Sequence, residues 1–161
     1  MRHCEAAAFI PLPAGQVFAY LDQHALLSSH MNKPSWKMGW GRMETTLDEG
    51  QGNRRGSRIR LAGRVFGINL SVEDEVTEYD SPLRKVWQTI GNPRLLVIGH
   101  YRMGFELTPQ DNGSALRVFI EYELPESAPA RWLGFLLGGY YARWCTEQMA
   151  GDAIKHFAQV M

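Results

Sequence analysis

One aspartate and a group of tyrosines are the residues of this chain whose types and placement suit acid–base chemistry. Asp74 stands in the segment Ser57–Asp80, and its neighbours two positions away, Val72 and Val76, are apolar. On a strand these three side chains share one face, where a carboxylate is costly unless it is paired or protonated. Burial would raise the pKa of Asp74 into the range of a general acid or base. The structural alternative, which we favour, places Asp74 at a rim where it reaches water or bonds a tyrosine or an arginine.

Large apolar side chains with a few polar tips form a second candidate group. Such a surface can orient an apolar ligand that bears one or two oxygens. The alternative is a packed core whose hydroxyls bond backbone or buried water. The candidate ligand-binding residues are Tyr101, Met103, Phe105, Ile120, Tyr122, Tyr140, Tyr141 and Trp144. The first five lie on one face of a predicted hairpin and the last three on a predicted covering helix, and we favour ligand contact for at least some of them.

The hairpin in segment 95–124 has a register that its charges determine. The loop from Pro109 to Ser114 separates two alternating runs, and Leu107 is set opposite Leu116. Unlike charges then face each other, which stabilises the strand pair, and a shift by one residue loses this match. The polar pairs are Glu106 with Arg117, Arg102 with Glu121 and His100 with Glu123. The other face stacks Tyr101 on Tyr122, Met103 on Ile120 and Phe105 on Val118.

A second hairpin is predicted in Ser57–Asp80, with its turn at Phe66-Gly67. Its polar pairs are Arg64 with Asn69, Arg60 with Glu73 and Arg58 with Glu75. Its apolar face holds Ile59, Leu61, Val65, Ile68, Leu70, Val72 and Val76, with Asp74 opposite Ile59. The basic run that begins at Arg54 is thereby largely neutralised, so a solvated strand face is favoured over a nucleic-acid or phospholipid site.

Prolines, glycines and the period of the apolar residues divide the rest of the chain into elements. The predicted elements are a strand ending at Ile10, helices over about 14–22 and 24–31, strands Trp36–Leu47 and Val86–Ile90, and a helix over about 130–159. A bend is expected in the long helix at Gly138-Gly139, since each glycine costs roughly 1 kcal/mol there. One strand, two short helices, about six antiparallel strands and one long helix make an α+β architecture.

The composition indicates one folded domain over residues 1–161 and argues against several function classes. Lys+Arg and Asp+Glu both number 17, so no net field attracts nucleic acid, and no stretch is long and apolar enough for stable membrane insertion. The five histidines show no metal-ligand spacing and no phosphate-binding loop is present, so neither a metal nor a cofactor is expected. Cys4 and Cys145 make no disulfide framework, and the start of the chain lacks a secretory signal, which favours the cytoplasm.

The order of elements resembles the START-domain/polyketide-cyclase-like superfamily (SRPBCC), which has a helix-grip fold. The similar motifs are Phe9–Pro13 with Val17–Leu21, Glu75–Arg84, Tyr101–Pro109 and the long final helix. The resemblance implies a strongly curved antiparallel sheet of about seven strands wrapped around the C-terminal helix. It does not imply one activity, because the family includes lipid carriers, cyclases, aromatases, hormone receptors and oxygenase subunits.

The candidate residues and the resemblance leave three functional hypotheses. The first, which we favour, is a non-catalytic carrier or sensor of a small hydrophobic or amphipathic molecule such as a lipid, isoprenoid, aromatic or polyketide. The second is a cyclase, dehydratase or hydrolase that acts on such a ligand with Asp74 and a tyrosine as acid and base. The third is a protein-interaction module that uses the apolar segment Trp132–Leu137. We interpret that segment as a buried helix start, with a dimer interface or transient membrane contact as alternatives, and expect a monomer or a homodimer.

Overall fold

The computed structural model describes residues 1–23, 42–65 and 67–160 of the chain. The elements are β1 Arg2–Ile10, α1 Ala14–Leu21, β2 Arg42–Leu47, β3 Arg58–Val65, β4 Ile68–Asp80, β5 Arg84–Arg94, β6 Tyr101–Gln110, β7 Gly113–Tyr122 and α2 Ala128–Val160. The predicted helix over about 24–31 and the predicted strand start at Trp36 lie outside the described residues. β5 is longer than the predicted Val86–Ile90.

The seven strands form one curved antiparallel sheet in the order β1-β7-β6-β5-β4-β3-β2. Both predicted hairpin registers are confirmed. Leu107 pairs with Leu116 between β6 and β7, and Ile59 pairs with Asp74 between β3 and β4. With the long C-terminal helix, this sheet has the architecture of the helix-grip fold.

The convex face of the sheet carries a network of ion pairs above one buried ring. Three arginine guanidinium carbons lie 5.0, 5.5 and 5.6 Å from the centroid of the Phe119 ring. The network consists of Glu5, Glu78, Glu106 and Glu121 with His3, Arg84, Arg102 and Arg117. It includes two of the predicted cross-strand pairs, at 3.1 Å for Glu106–Arg117 and 3.3 Å for Arg102–Glu121. The charged side chains on this face therefore pair with one another, as their alternation along the strands predicts.

Two polar pairs differ in detail from the predicted pattern. The backbones of His100 and Glu123 pair, but the His100 ring bonds the carbonyl oxygen of Gly91 at 2.8 Å. Arg58 lies 4.0 Å from its partner Glu75, and it lies closer, at 3.4 Å, to Glu73 on the diagonal. The long guanidinium side chain reaches a diagonal neighbour as easily as a direct one.

The concave face and α2 enclose the hydrophobic core. The α2 backbone packs mainly against β1 and β7, and α1 packs against β6, β7 and α2. Tyr20 of α1 stacks on His156 of α2, with 4.0 Å between the ring centroids. The predicted inward residues of β3 and β4 are buried or partly buried, except that Ile68, beside the hairpin turn, is 49% exposed.

Glycines let the first half of α2 approach the rest of the protein closely. A Cβ on Gly134 would lie 2.6 Å from the carbonyl oxygen of Val97, and one on Gly138 would lie 3.3 Å from the Tyr122 ring. The structure assigns one continuous helix through Gly138-Gly139. The glycines that weaken the helix locally are thus needed for its packing.

Candidate functional site

A row of polar side chains crosses the concave face of the sheet. Asp74 on β4 pairs in register with Thr89 on β5, and Tyr101 on β6 pairs with Tyr122 on β7. The Tyr101 backbone N–H donates to the Thr89 hydroxyl oxygen at 3.2 Å, which joins the two pairs. All four residues are buried. Four adjacent strands therefore place four polar side chains in line beneath the helix.

Asp74 and Tyr101 form the centre of this row. The Tyr101 hydroxyl donates to Oδ2 of Asp74 at 2.6 Å. Asp74 is fully buried, and its other oxygen, Oδ1, has no hydrogen-bond partner among the residues that the structure describes. An unpaired buried carboxylate oxygen is costly, so a ligand that supplies a donor there is stabilised. The position of Asp74 on the inner face is as expected, its bond to a tyrosine matches one structural alternative, and the alternative that it reaches water is wrong.

Burial sets the electrostatics of the pair. Burial raises the pKa of Asp74 to about 7, although two hydroxyls act in the opposite direction. They are the hydroxyl of Tyr101, which bonds Oδ2, and that of Thr89, which lies near the carboxyl but does not reach hydrogen-bond geometry with Oδ1. Asp74 therefore exchanges its proton near neutral pH. Burial, followed by the nearby Asp74 carboxylate, holds the pKa of Tyr101 well above its usual range, so Tyr101 stays a hydrogen-bond donor.

The helix α2 contributes a second layer above the row. Tyr141 and Cys145 are close enough to Tyr101 to affect its pKa, and burial raises the pKa of the Cys145 thiol to about 12. A thiol with so high a pKa is a poor nucleophile, consistent with the absence of an evident base beside it in sequence. Trp144 is partly buried against the core, with its ring centroid 6.0 Å from that of Tyr141.

The other predicted ligand contacts divide into interior and exterior positions. Those that the structure places in the core are Met103, Phe105, Ile120 and Tyr122. Tyr140 is 57% exposed, so the expectation that it faces inward is wrong. In a helix the residue after Tyr140 points about 100° away from it, and Tyr141 takes the inner position. Tyr140 is on the outer side because the glycines at the start of α2 occupy the inner side.

A buried lysine is a polar residue that the sequence analysis did not identify. Lys85 is fully buried on the concave face, and its Nζ lies 3.1 Å from Oδ1 of Asp22 at the end of α1. The Tyr79 hydroxyl donates to Oδ2 of the same carboxylate at 2.6 Å. Burial lowers the pKa of Lys85, and Asp22 opposes this effect. The cluster ties α1 to the sheet, which is a structural role.

The sequence did not indicate that Lys85 and Thr89 face inward, because polar and apolar residues in β5 do not alternate between the outer and inner faces as they do in the other strands. Lys85, Trp87 and Thr89 face inward, while Val86 on the convex face is also fully buried. Val86 pairs with Gly104, beside Phe119 under the ion-pair network. The turn at Asp80-Ser81-Pro82 does not give the correct face either, because a β-bulge between Val76 and Glu78 shifts the register by one residue. Counting from the turn alone would set Ile90 opposite Asp74, whereas its partner is Thr89.

The described residues contain neither a metal-ion cluster nor a membrane-spanning helix. No group of three or more His, Cys, Asp or Glu side chains there is arranged to hold a metal ion. Neither described helix has the length and apolar character needed to cross a membrane. Cys4 is partly buried and Cys145 is buried, and both are free thiols.

Comparison with known families shows which family the chain belongs to. A family model described as polyketide cyclase / dehydrase and lipid transport matches residues 1–161. The chain belongs to this family. Its members are described as cyclases, dehydrases and lipid transporters, so membership supports a ligand-binding or cyclase role in general. No curated protein sequence matches the chain.

Several solved structures share the fold at low sequence identity. The protein TTHA0849 from Thermus thermophilus has a TM-score of 0.69 at 15% identity, over 99% of both chains. The Zhui aromatase/cyclase from Streptomyces sp. R1128 has a TM-score of 0.63 at 15% identity, over 94% of this chain and 93% of its own. Major latex-like protein 151 from Panax ginseng has a TM-score of 0.58 at 14% identity, over 97% of each chain. At these identities the likeness concerns the fold alone.

Proposed function

We propose that the protein binds a small hydrophobic or amphipathic molecule between the concave face of the sheet and α2, as a carrier or sensor. The observation that carries this proposal is the fully buried Asp74, whose Oδ1 has no partner among the described residues. A core with only a structural purpose gains nothing from an unpaired carboxylate oxygen. A ligand that donates a hydrogen bond to it removes that cost.

The position of α2 also favours the concave face around Asp74 as the binding site. The α2 backbone packs mainly against β1 and β7 and so lies farther from the inner surface of β3–β5. That surface presents Ile59, Val76 and Trp87 around Asp74, all buried. An apolar ligand there gains about 25 cal/mol for each Å² of apolar surface removed from water.

The chemistry of the pair restricts the ligand class. The Tyr101 hydroxyl already bonds Oδ2 of Asp74, so when Asp74 is ionised, above about pH 7, the free Oδ1 accepts one further hydrogen bond. A hydroxyl, phenol or N–H group on an apolar body meets this requirement. A ligand carboxylate at the same place would meet a like charge whenever Asp74 is ionised. We therefore propose a neutral apolar ligand with one donor group.

The protein is proposed to act in the cytoplasm. Its two cysteines are free thiols, and a reducing compartment keeps them so.

A titration with N-phenyl-1-naphthylamine, an apolar fluorescent probe with one N–H donor, tests the binding proposal. We expect saturable binding by the wild type, and at least about tenfold weaker binding by Asp74→Asn above pH 7, where the amide nitrogen replaces an acceptor. Asp111→Asn, in the exposed β6–β7 turn, is the control and should bind as the wild type does. Equal affinities for wild type and Asp74→Asn, or no binding by either, would contradict the proposal.

A second candidate function, a dehydratase- or cyclase-like enzyme, is favoured by one observation. Asp74 has a pKa of about 7 and a tyrosine hydroxyl at 2.6 Å, which suits a group that accepts and returns a proton at neutral pH. In a dehydration, Asp74 would take a proton from the carbon beside a carbonyl and return it to the departing hydroxyl, which leaves as water. Such an enzyme releases a ligand lighter by one water, whereas a carrier returns it unchanged.

A further inference from the structure

The outer side of the first half of α2 is an exposed apolar surface, here called the α2 outer face. Trp132 is 65% exposed, Phe135 58% and Leu136 63%. The face consists of Trp132, Leu133, Phe135, Leu136, Leu137 and Tyr140. Single exposed apolar residues are normal on a protein surface, but six large ones on three turns of one helix form a contiguous patch, which is typical of an interaction site. The expectation that this helix start is buried is wrong.

The exposure of these side chains follows from the way the helix packs against the protein. Gly134 and Gly138 face the protein, where a Cβ would lie 2.6 and 3.0 Å, respectively, from the Val97 carbonyl oxygen. The large side chains have no space on that side, so the close packing of the helix directs them outward. An ordinary surface helix has the reverse distribution, with its apolar stripe toward the core.

The charged side chains within the stretch that carries the α2 outer face are both arginines, and the exposed Glu126 and Glu147 lie just beyond its two ends. Between Ser127 and Thr146 the only ionisable groups that carry a charge at neutral pH are those of Arg131 and Arg143, and neither residue is buried. Arg143 follows Leu136 by two helical turns and so lies on the same face. The Arg2 guanidinium carbon lies 5.2 Å from the centroid of the Phe135 ring, which adds a third cation at the edge. The chain as a whole is neutral, so this positive rim is local.

We propose that the α2 outer face docks on an anionic lipid surface. A helix that presents Trp, Phe and Leu with flanking arginines lies in the membrane interface with its apolar side among the acyl chains. Each arginine near an anionic leaflet adds attraction, and tryptophan and tyrosine suit the boundary between headgroups and acyl chains.

A second copy of the chain fits this face less well. A two-fold axis through the middle of the face sets two antiparallel helices side by side and brings Arg131 of one copy near Arg143 of the other. The nearest acidic residues in the helix region, Glu126 and Glu147, lie outside the stretch that would meet. Like charges at such a contact oppose association. An anionic surface satisfies both the apolar side chains and the arginines.

Flotation with lipid vesicles tests the proposal. The probes are vesicles of phosphatidylcholine alone and of phosphatidylcholine with about 30% phosphatidylglycerol, at low salt. We expect the wild type to float with the anionic vesicles, and at least about tenfold weaker partitioning for Trp132→Ser/Leu136→Ser and for Arg131→Glu/Arg143→Glu. These side chains reach the surface, so the variants should keep the circular dichroism and melting temperature of the wild type.

Matched controls come from the last turns of the same helix. Ile154→Ser, at a residue that is 46% exposed, and Lys155→Glu should leave flotation unchanged. No flotation of the wild type, equal flotation with neutral vesicles, or equal losses in the control variants would overturn the proposal. A concentration-dependent dimer that Trp132→Ser/Leu136→Ser abolishes, without vesicle binding, would overturn it in favour of a second copy. The vesicles hold no interior ligand, so the result is independent of the binding function proposed above.

Discussion

At the scale of single residues, Asp74 is the group on which the proposed function depends. Its pKa of about 7 lies above its ordinary value of 3.8 because the carboxyl is buried. Between these two pH values the folded protein keeps a proton that the unfolded chain has released. Stability therefore falls as the pH rises from about 4 to about 7, and levels off above, with a total change of up to a few kcal/mol.

Asp74→Asn should remove this contribution to the pH dependence. Asparagine cannot ionise and still accepts the Tyr101 hydroxyl, so the variant should gain stability over the wild type as the pH rises to about 7 and keep that gain above it. The free energy of urea unfolding, measured from about pH 4 to about pH 8, checks this. Asp111→Asn is again the control. Parallel curves for wild type and Asp74→Asn would show that Asp74 titrates normally.

Sequence patterns located the inner positions of Asp74, Tyr101 and Tyr122, because strand alternation and charge pairing define a face. They could not establish that Tyr101 bonds Asp74, because β6 and β4 are separated by β5, whose alternation is obscured by the buried Val86. Tyr140 was misplaced because helical periodicity does not show how far a helix is rotated about its axis. The contacts made by Gly134 and Gly138 set that rotation.

At the scale of elements, two glycines of α2 should respond to alanine in opposite ways: Gly134 is in close contact with the rest of the protein, whereas Gly151 is not. Gly134→Ala would place a Cβ 2.6 Å from the Val97 carbonyl oxygen and 2.7 Å from Cδ of Pro125, so we expect a loss of about 1–3 kcal/mol in stability. Gly151→Ala meets no atom within 4 Å and should gain about 0.5–1 kcal/mol from helix propensity.

The two variants share one helix and one substitution, so each is the control for the other in urea unfolding. A shift of both in the same direction would mean that the first half of α2 does not lie as close to Val97 as the structure shows.

The elements themselves were largely predictable from the sequence: both hairpin registers follow from polar pairs, and the long helix follows from the period of its apolar residues. The close contact of Gly134 and Gly138 with Val97 could not be predicted from the sequence. The helical glycines were expected to bend the helix, not to let it approach the rest of the protein.

At the scale of the whole molecule, the fold was predictable and the ligand is not. The order of elements and the motifs around Pro11, Pro82 and Pro109 indicated the helix-grip fold, and the family match over residues 1–161 confirms the family. Structures at 13–17% identity keep the same architecture. A pattern of polar and apolar positions is enough to specify such a fold, whereas ligand choice depends on the shape that individual side chains leave inside it.

Native mass spectrometry of the protein purified from its own host tests the central claim most directly. We predict a protein population heavier than the bare chain by one small molecule, which N-phenyl-1-naphthylamine displaces and which is depleted in Asp74→Asn. Release and identification of that molecule should show an apolar body with a hydroxyl, phenol or N–H group. A bare mass together with no binding of the probe would contradict an interior ligand site at Asp74 and Tyr101.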